Sequence, residues 1–96
     1  MIIQGFIWFS DIVDKIEAKH GVTTSEAENI FTRKPLFDKI KKGNVRGEDL
    51  YRALGQTNSG RYLVVFFLYK ETSEALVISA RDMTDKERKN YAKRKK

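Results

Sequence analysis

Ninety-six residues, 41% hydrophobic and 11% aromatic, furnish one modest core and no second, so residues 1–96 are expected to form a single domain. The absence of cysteine removes disulfides, thiolate catalysis and cysteine-based zinc sites and points to a reducing cytoplasm, and the lone His20 excludes a histidine-rich metal site. Of the net charge of +6, everything belongs to residues 86–96, where seven basic side chains face one acid, Glu87. Such a tail either attracts phosphates or an acidic partner, or serves as a solvated, partly frayed terminus.

Along the chain, Ile2, Ile3, Phe6, Ile7, Trp8 and Phe9 predict a first strand; the run lacks a basic lead-in and is too short to span a bilayer, so no membrane segment is expected. Ser10 is the expected N-cap of a helix over 11–20, in which Ile12, Val13 and Ile16 fall at helical spacing and Gly21 follows as the stop. Thr23 and Glu26 have capping-box spacing and start a second helix that buries Ala27, Ile30 and Phe31 until Pro35 blocks it. Residues 36–41 make a weak strand and 49–56 a better one. Asn58-Ser59-Gly60 forms a hairpin connection into a strand over 61–70, and 71–74 turns the chain into a strand over 75–81. Thr84 and Glu87 repeat the capping box and open a final, basic helix whose only apolar members are Tyr91 and Ala92. The fold class is therefore α+β: an antiparallel β-meander packed by two N-terminal helices, with a short basic C-terminal helix.

Leu63 to Tyr69 is apolar at every position, so Leu63, Val65, Phe67 and Tyr69 face one way and Val64, Phe66 and Leu68 the other. Both faces of this central strand require cover. The first two helices suit one face, whereas the last helix has little apolar surface for the other. Either the sheet curls on itself or part of the far face is a groove for a partner.

Trp8, Lys19-His20-Gly21-Val22, the run from Gly47 to Thr57, Gly60 to Val65, Ile78-Ser79-Ala80-Arg81, Glu87-Arg88 and Tyr91 form an ordered set whose spacing resembles the BrnT family of prokaryotic toxins. That resemblance implies a RelE-like toxin that cleaves RNA, stalls translation and is neutralised by a BrnA-like antitoxin, with DNA engaged only through the antitoxin. One departure stands out. Where many family members carry Glu-x-Arg in the third segment, Glu48 is followed by Asp49 and Leu50, and Arg52 is the next base along the chain.

Cutting RNA without a metal or other cofactor requires activation of a 2′-hydroxyl, stabilisation of charge on the phosphate and protonation of the leaving 5′-oxygen. With one histidine, the chemistry must lean on arginine for charge, since its planar fork matches phosphate, and on His20, a carboxylate, a lysine or a tyrosine for protons. The expected catalytic set is Arg81, His20, Arg61 and Glu48. Arg81 is alternatively an ion-pair partner of Glu48 or Asp49, His20 a helix-end cation, Arg61 a solvated strand-start residue and Glu48 a group that orients Arg81 or Arg52. Lys19, Arg52, Lys86, Arg88, Lys89, Lys93 and Arg94 are the expected contacts to the RNA backbone, while Tyr62, Tyr69 and Tyr91 either stack on bases or belong to the core. No P-loop, dinucleotide glycine pattern, HExxH or GxSxG element occurs.

Overall fold

The computed structural model describes residues 1–95. Five strands, β1 (Gly5–Ile7), β2 (Leu36–Lys41), β3 (Asp49–Gln56), β4 (Tyr62–Tyr69) and β5 (Glu74–Asp82), form one sheet in the order β1-β5-β4-β3-β2. Three helices, α1 (Ser10–His20), α2 (Thr24–Asn29) and α3 (Asp85–Arg94), accompany it, and a 3-10 turn at Ile30–Arg33 extends α2.

β2 to β5 make the expected antiparallel meander, but β1 lies parallel to β5, so the sheet as a whole is mixed. The first strand is also shorter than its apolar run predicts. Only Gly5, Phe6 and Ile7 find partners on β5, and Ile2 and Phe9 are left 71% and 56% exposed. Trp8 leaves the ladder to donate its indole N–H to Glu28 Oε2 at 2.7 Å.

Helix boundaries follow local chemistry with one exception. Ser10 lies inside α1 instead of capping it; Phe9 holds the extended cap position, and its carbonyl accepts from Ile12 and Val13. Gly21 ends the helix at φ 60°, a left-handed conformation for which a side chain carries a steric penalty. Both predicted capping boxes are present: Thr23 with Glu26 and Thr84 with Glu87 exchange side-chain and backbone bonds in each direction.

α1 and α2 cover one sheet face, where Ile16, Val22, Ala27 and Ile30 pack on Leu63, Val65, Phe67, Ala75, Val77 and Ala80. Phe67 is fully buried and touched by Phe31, Phe37 and Tyr51 with ring centroids 5.6, 6.1 and 5.8 Å away. β3 approaches the 3-10 turn so closely that a methyl group on Gly55 would meet Ile30 Cβ at 2.9 Å.

The second face is covered by α3, against the expectation from its meagre apolar content. One buried ring, Tyr91, joins Leu54, Val64 and Met83, with Leu36, Tyr62 and Phe66 around them. Ion pairs supply what the helix lacks in apolar surface: Arg94 forks onto Asp38 of β2 at 2.7 and 2.9 Å, and Lys95 donates to the Lys34 carbonyl. The basic tail is thus a docked helix through Arg94; Lys96 lies outside the described residues.

Phe67→Ala should lower unfolding free energy by about 3–5 kcal/mol, the usual result of removing a fully buried ring. Phe66→Ala should cost distinctly less, because Phe66 is half-buried; denaturant melts of both variants read the difference, and equal losses would contradict the assignment of core faces.

Candidate phosphate-binding site

A one-residue bulge in β5 determines where the arginines fall. Phe67 pairs with Val77 but Phe66 pairs with Ser79, so Ile78 has no partner on β4. Ala75, Val77 and Ala80 consequently face the α1–α2 layer, and Arg81 falls on the α3 side. Unbroken alternation from Ala75 would have driven Arg81 into the apolar core.

On the α3 side Arg81 meets Glu87. Its Nη1 and Nη2 donate to Glu87 Oε1 and Oε2 at 2.7 and 3.0 Å, and Nη1 also donates to the Asp82 carbonyl. The guanidinium lies 5.4 Å from the Phe66 ring centroid. The partner is thus the capping carboxylate of α3, and neither Glu48 nor Asp49 fills that role. Glu48 is exposed in the β2–β3 connection, and Asp49 binds Lys39 and the Gly43 N–H. In the sheet register Arg81 aligns with Val64 and Leu54, which places Glu48 six residues away along β3, about 20 Å at the rise of a strand. Glu48 therefore orients neither Arg81 nor Arg52.

Arg52 donates Nε to Asp38 at 3.0 Å and brings Nη1 within 3.7 Å of Glu87, completing a chain Arg94–Asp38–Arg52–Glu87–Arg81 across β2, β3, β5 and α3. A cleft of about 470 Å³ opens here, lined in part by Arg52, Thr84, Lys86, Glu87, Asn90 and Arg94. Counting donors separates the arginines. A guanidinium carries five N–H groups. Among the described residues, Arg52 uses only Nε, while Arg81 keeps Nε–H and one Nη2–H unspent.

Arg61 stands in contrast, with every N–H engaged. Nε and Nη2 fork onto Asp82 at 2.8 and 3.0 Å, Nη1 donates to the Gly21 carbonyl and to Glu26, and Nη2 also donates to the His20 carbonyl. It closes the C-terminus of α1, whose last carbonyls have no helical partner. His20 is half-buried at that helix end, near enough to Asp82 to add to the lowering of its carboxyl pKa, which Arg61 chiefly causes. The structure thus gathers His20 and Arg61 on the helix side of β5 and sets Arg81 and Arg52 on the other side, with Glu48 apart from both.

Of the remaining sequence candidates, Lys86, Lys89 and Lys93 are exposed along α3 and Lys19 on the last turn of α1. Arg88 lies over Tyr62, 4.1 Å from the ring centroid, and Arg94 is bound to Asp38. Tyr91 belongs to the core, and Tyr69 packs at its margin and donates to the Ile2 carbonyl. Sequence reasoning missed Asp38 and Glu87 as arginine partners. For Glu87 the capping-box spacing was a visible signal; for Asp38, 14 residues before Arg52, no local pattern exists. Among the described residues no group of three or more His, Cys, Asp and Glu is placed to hold a metal ion, and no helix is long and apolar enough to cross a membrane.

The Arg81 fork, helped by the Thr84 N–H, holds the Glu87 carboxyl down at about 2 against its ordinary 4.5. Asp38 is lowered by Arg94 and then Arg52. A carboxylate depressed on folding stabilises fully above its unfolded value, and that contribution disappears as pH falls toward the folded value. Melting temperature should therefore decline from about pH 4.5 toward pH 2, and Glu87→Gln should flatten part of that decline. Identical acid slopes in the two proteins would show that the Arg81–Glu87 pair does not contribute.

The chain therefore carries an arginine cluster with unspent donors beside a basic helix. No curated protein matches it. Residues 10–87 match the family described as ribonuclease toxin, BrnT, of type II toxin-antitoxin system. That match spans most of the sheet, all of α1 and α2 and the opening of α3, and by it the chain belongs to the BrnT family of ribonuclease toxins.

Proposed function

We propose that this protein is a cytoplasmic endoribonuclease that inhibits translation by cutting RNA without a metal, and that it is held in check by a BrnA-like antitoxin. The observation that carries the reading is the pair of guanidiniums with N–H groups to spare, Arg52 in the lining of the cleft and held by Asp38, and Arg81 held by the Glu87 carboxylate that also lines it. Preorganised donors of this kind stabilise charge that develops on a phosphate, because their orientation is fixed before the reaction begins.

In the cleavage step the 2′-oxygen attacks phosphorus as its proton passes to a base, the bond to the 5′-oxygen breaks, and that oxygen takes up a proton. A 2′,3′-cyclic phosphate and a 5′-hydroxyl result, so protons and electrons balance. Arg81 and Arg52 take the phosphate charge, and Lys86, Lys89 and Lys93 guide the backbone across α3. His20 lies across the sheet from this cleft, so the proton transfers at a phosphate held there fall to a side chain of the α3 side, where Lys86 is in the lining. Arg61 has no donor left for substrate and acts by fixing the end of α1 from which His20 projects. A noncatalytic module for nucleic-acid or antitoxin binding, acting in transcriptional autoregulation, is the second reading. It is favoured by the placement of His20 on the helix side of β5, away from the cleft.

Purified protein should cleave single-stranded RNA in the presence of EDTA, and Arg81→Lys should lower the rate by about 100-fold or more while melting changes little, since the charge remains but the fork is lost. Folded, fully active Arg81→Lys and Arg52→Ala proteins would refute the cleft as the active centre. An inert wild type that still binds RNA would select the noncatalytic reading. Replacing Lys86, Lys89 and Lys93 together with Ala should flatten the salt dependence of RNA affinity by a slope of roughly 2, from about 0.7 per lost phosphate contact on a single strand.

A further inference from the structure

α3 covers only part of its sheet face. Beyond its reach, Leu50 of β3, Leu68 of β4 and Leu76 of β5 stand side by side in register. None belongs to either core cluster, and all three are half-exposed. Ile78, pushed out by the bulge, and Ile40, at the irregularity in β2, border the row and are 36% and 46% exposed. Five branched apolar side chains on a sheet face constitute a surface that water does not stabilise.

The surface is not apolar throughout. Arg52 lies two residues beyond Leu50 on the same face of β3, about 7 Å along the strand, and Arg81 lies over Phe66, two residues from Leu68. Lys41 and Lys42 flank the end of β2 and are exposed. Side chains one helical turn apart are separated by about 5–6 Å, so an amphipathic helix that lays apolar residues on the leucine row brings a carboxylate one turn further on to the unspent N–H groups of Arg52 and Arg81. A helix set beside α3 would also complete the layer that α3 begins on this face.

We propose that the leucine row with Arg52 and Arg81 is the docking surface for the antitoxin, which binds through an amphipathic helix carrying an apolar stripe and acidic residues. The inference rests on membership of the toxin family for the existence of such a partner and on the proposed cleavage site for its consequence. The bound carboxylates occupy the donors that RNA phosphate requires, so neutralisation is direct competition at the arginines.

The test uses the full chain co-expressed with a BrnA-like antitoxin, with complex formation measured by size-exclusion chromatography and calorimetry. Leu68→Glu opposes a charge to the apolar stripe and should weaken the complex by about 100-fold or more, a large loss for a single interface side chain. Leu76→Gln serves as a second variant should Leu68→Glu melt early. Thr32→Arg, on the groove between β1 and the 3-10 turn lined by Ile3, Phe6, Phe31 and Phe37, should leave binding unchanged. Unaltered affinity in folded Leu68→Glu and Leu76→Gln overturns the proposal, as does loss of binding in Thr32→Arg alone. Self-association of the isolated chain that Leu68→Glu abolishes would assign the row to a second copy and overturn it too. RNA cleavage by Leu68→Glu without antitoxin is measured separately: an inactive wild type that still binds antitoxin through this row refutes the cleavage reading and leaves the docking surface standing.

Discussion

The fold is organised around the Arg61 guanidinium. Its five N–H groups reach the last carbonyls of α1, the Glu26 carboxylate that caps α2 and the Asp82 carboxylate at the end of β5. Helix end, helix start and strand end are thereby fixed to the residue that precedes β4. The contact is an electrostatic knot on the surface of the α1–α2 layer, and everything that positions His20 passes through it. The same chemistry recurs on the other face in an open form. There the carboxylates of Glu87 and Asp38 orient Arg81, Arg52 and Arg94 without consuming all their donors. One guanidinium saturated and three unsaturated is the physical distinction between an arginine that holds the structure together and one that can receive a ligand.

Much of the fold was legible locally. The two capping boxes, the stop at Gly21, the hairpin at Asn58-Ser59-Gly60 and the strand over 49–56 depend on residue types and patterns close in sequence. The apolar run of β4 also announced a central strand covered on both sides. Three features were not legible. β1 joins β5 across nearly 70 residues, and no local pattern specifies a parallel partner. The bulge at Ile78 shifts the phase of β5, so simple alternation misplaces Arg81. The docking of α3 escapes any count of apolar residues, because one tyrosine and an arginine–aspartate fork do what a stripe of leucines does elsewhere.

The site was legible as a set of residue types and illegible as a geometry. Arg81 and Arg61 stood out because they flank strands in motifs, yet nothing in the sequence shows that they lie on opposite faces of the sheet where β4 begins beside the end of β5. Glu48 appeared as the natural acid because of its neighbours in the chain, while the acid that meets Arg81 is Glu87, six residues further along. Charge partners are selected by register and by the faces of elements, and both are properties of the assembled sheet.

Glu87 accepts from the Thr84 N–H at the start of α3 and from the Arg81 fork with one carboxylate, sharing Oε1 between them. The helix and the guanidinium are therefore thermodynamically linked. An anion that draws Arg81 away changes the capping of α3, and by reciprocity whatever stabilises or frays that helix changes the affinity of Arg81 for the anion by the same factor. α3 also carries Lys86, Lys89 and Lys93, so the order of a ten-residue helix and the anion affinity of the sheet beneath it form a single coupled equilibrium.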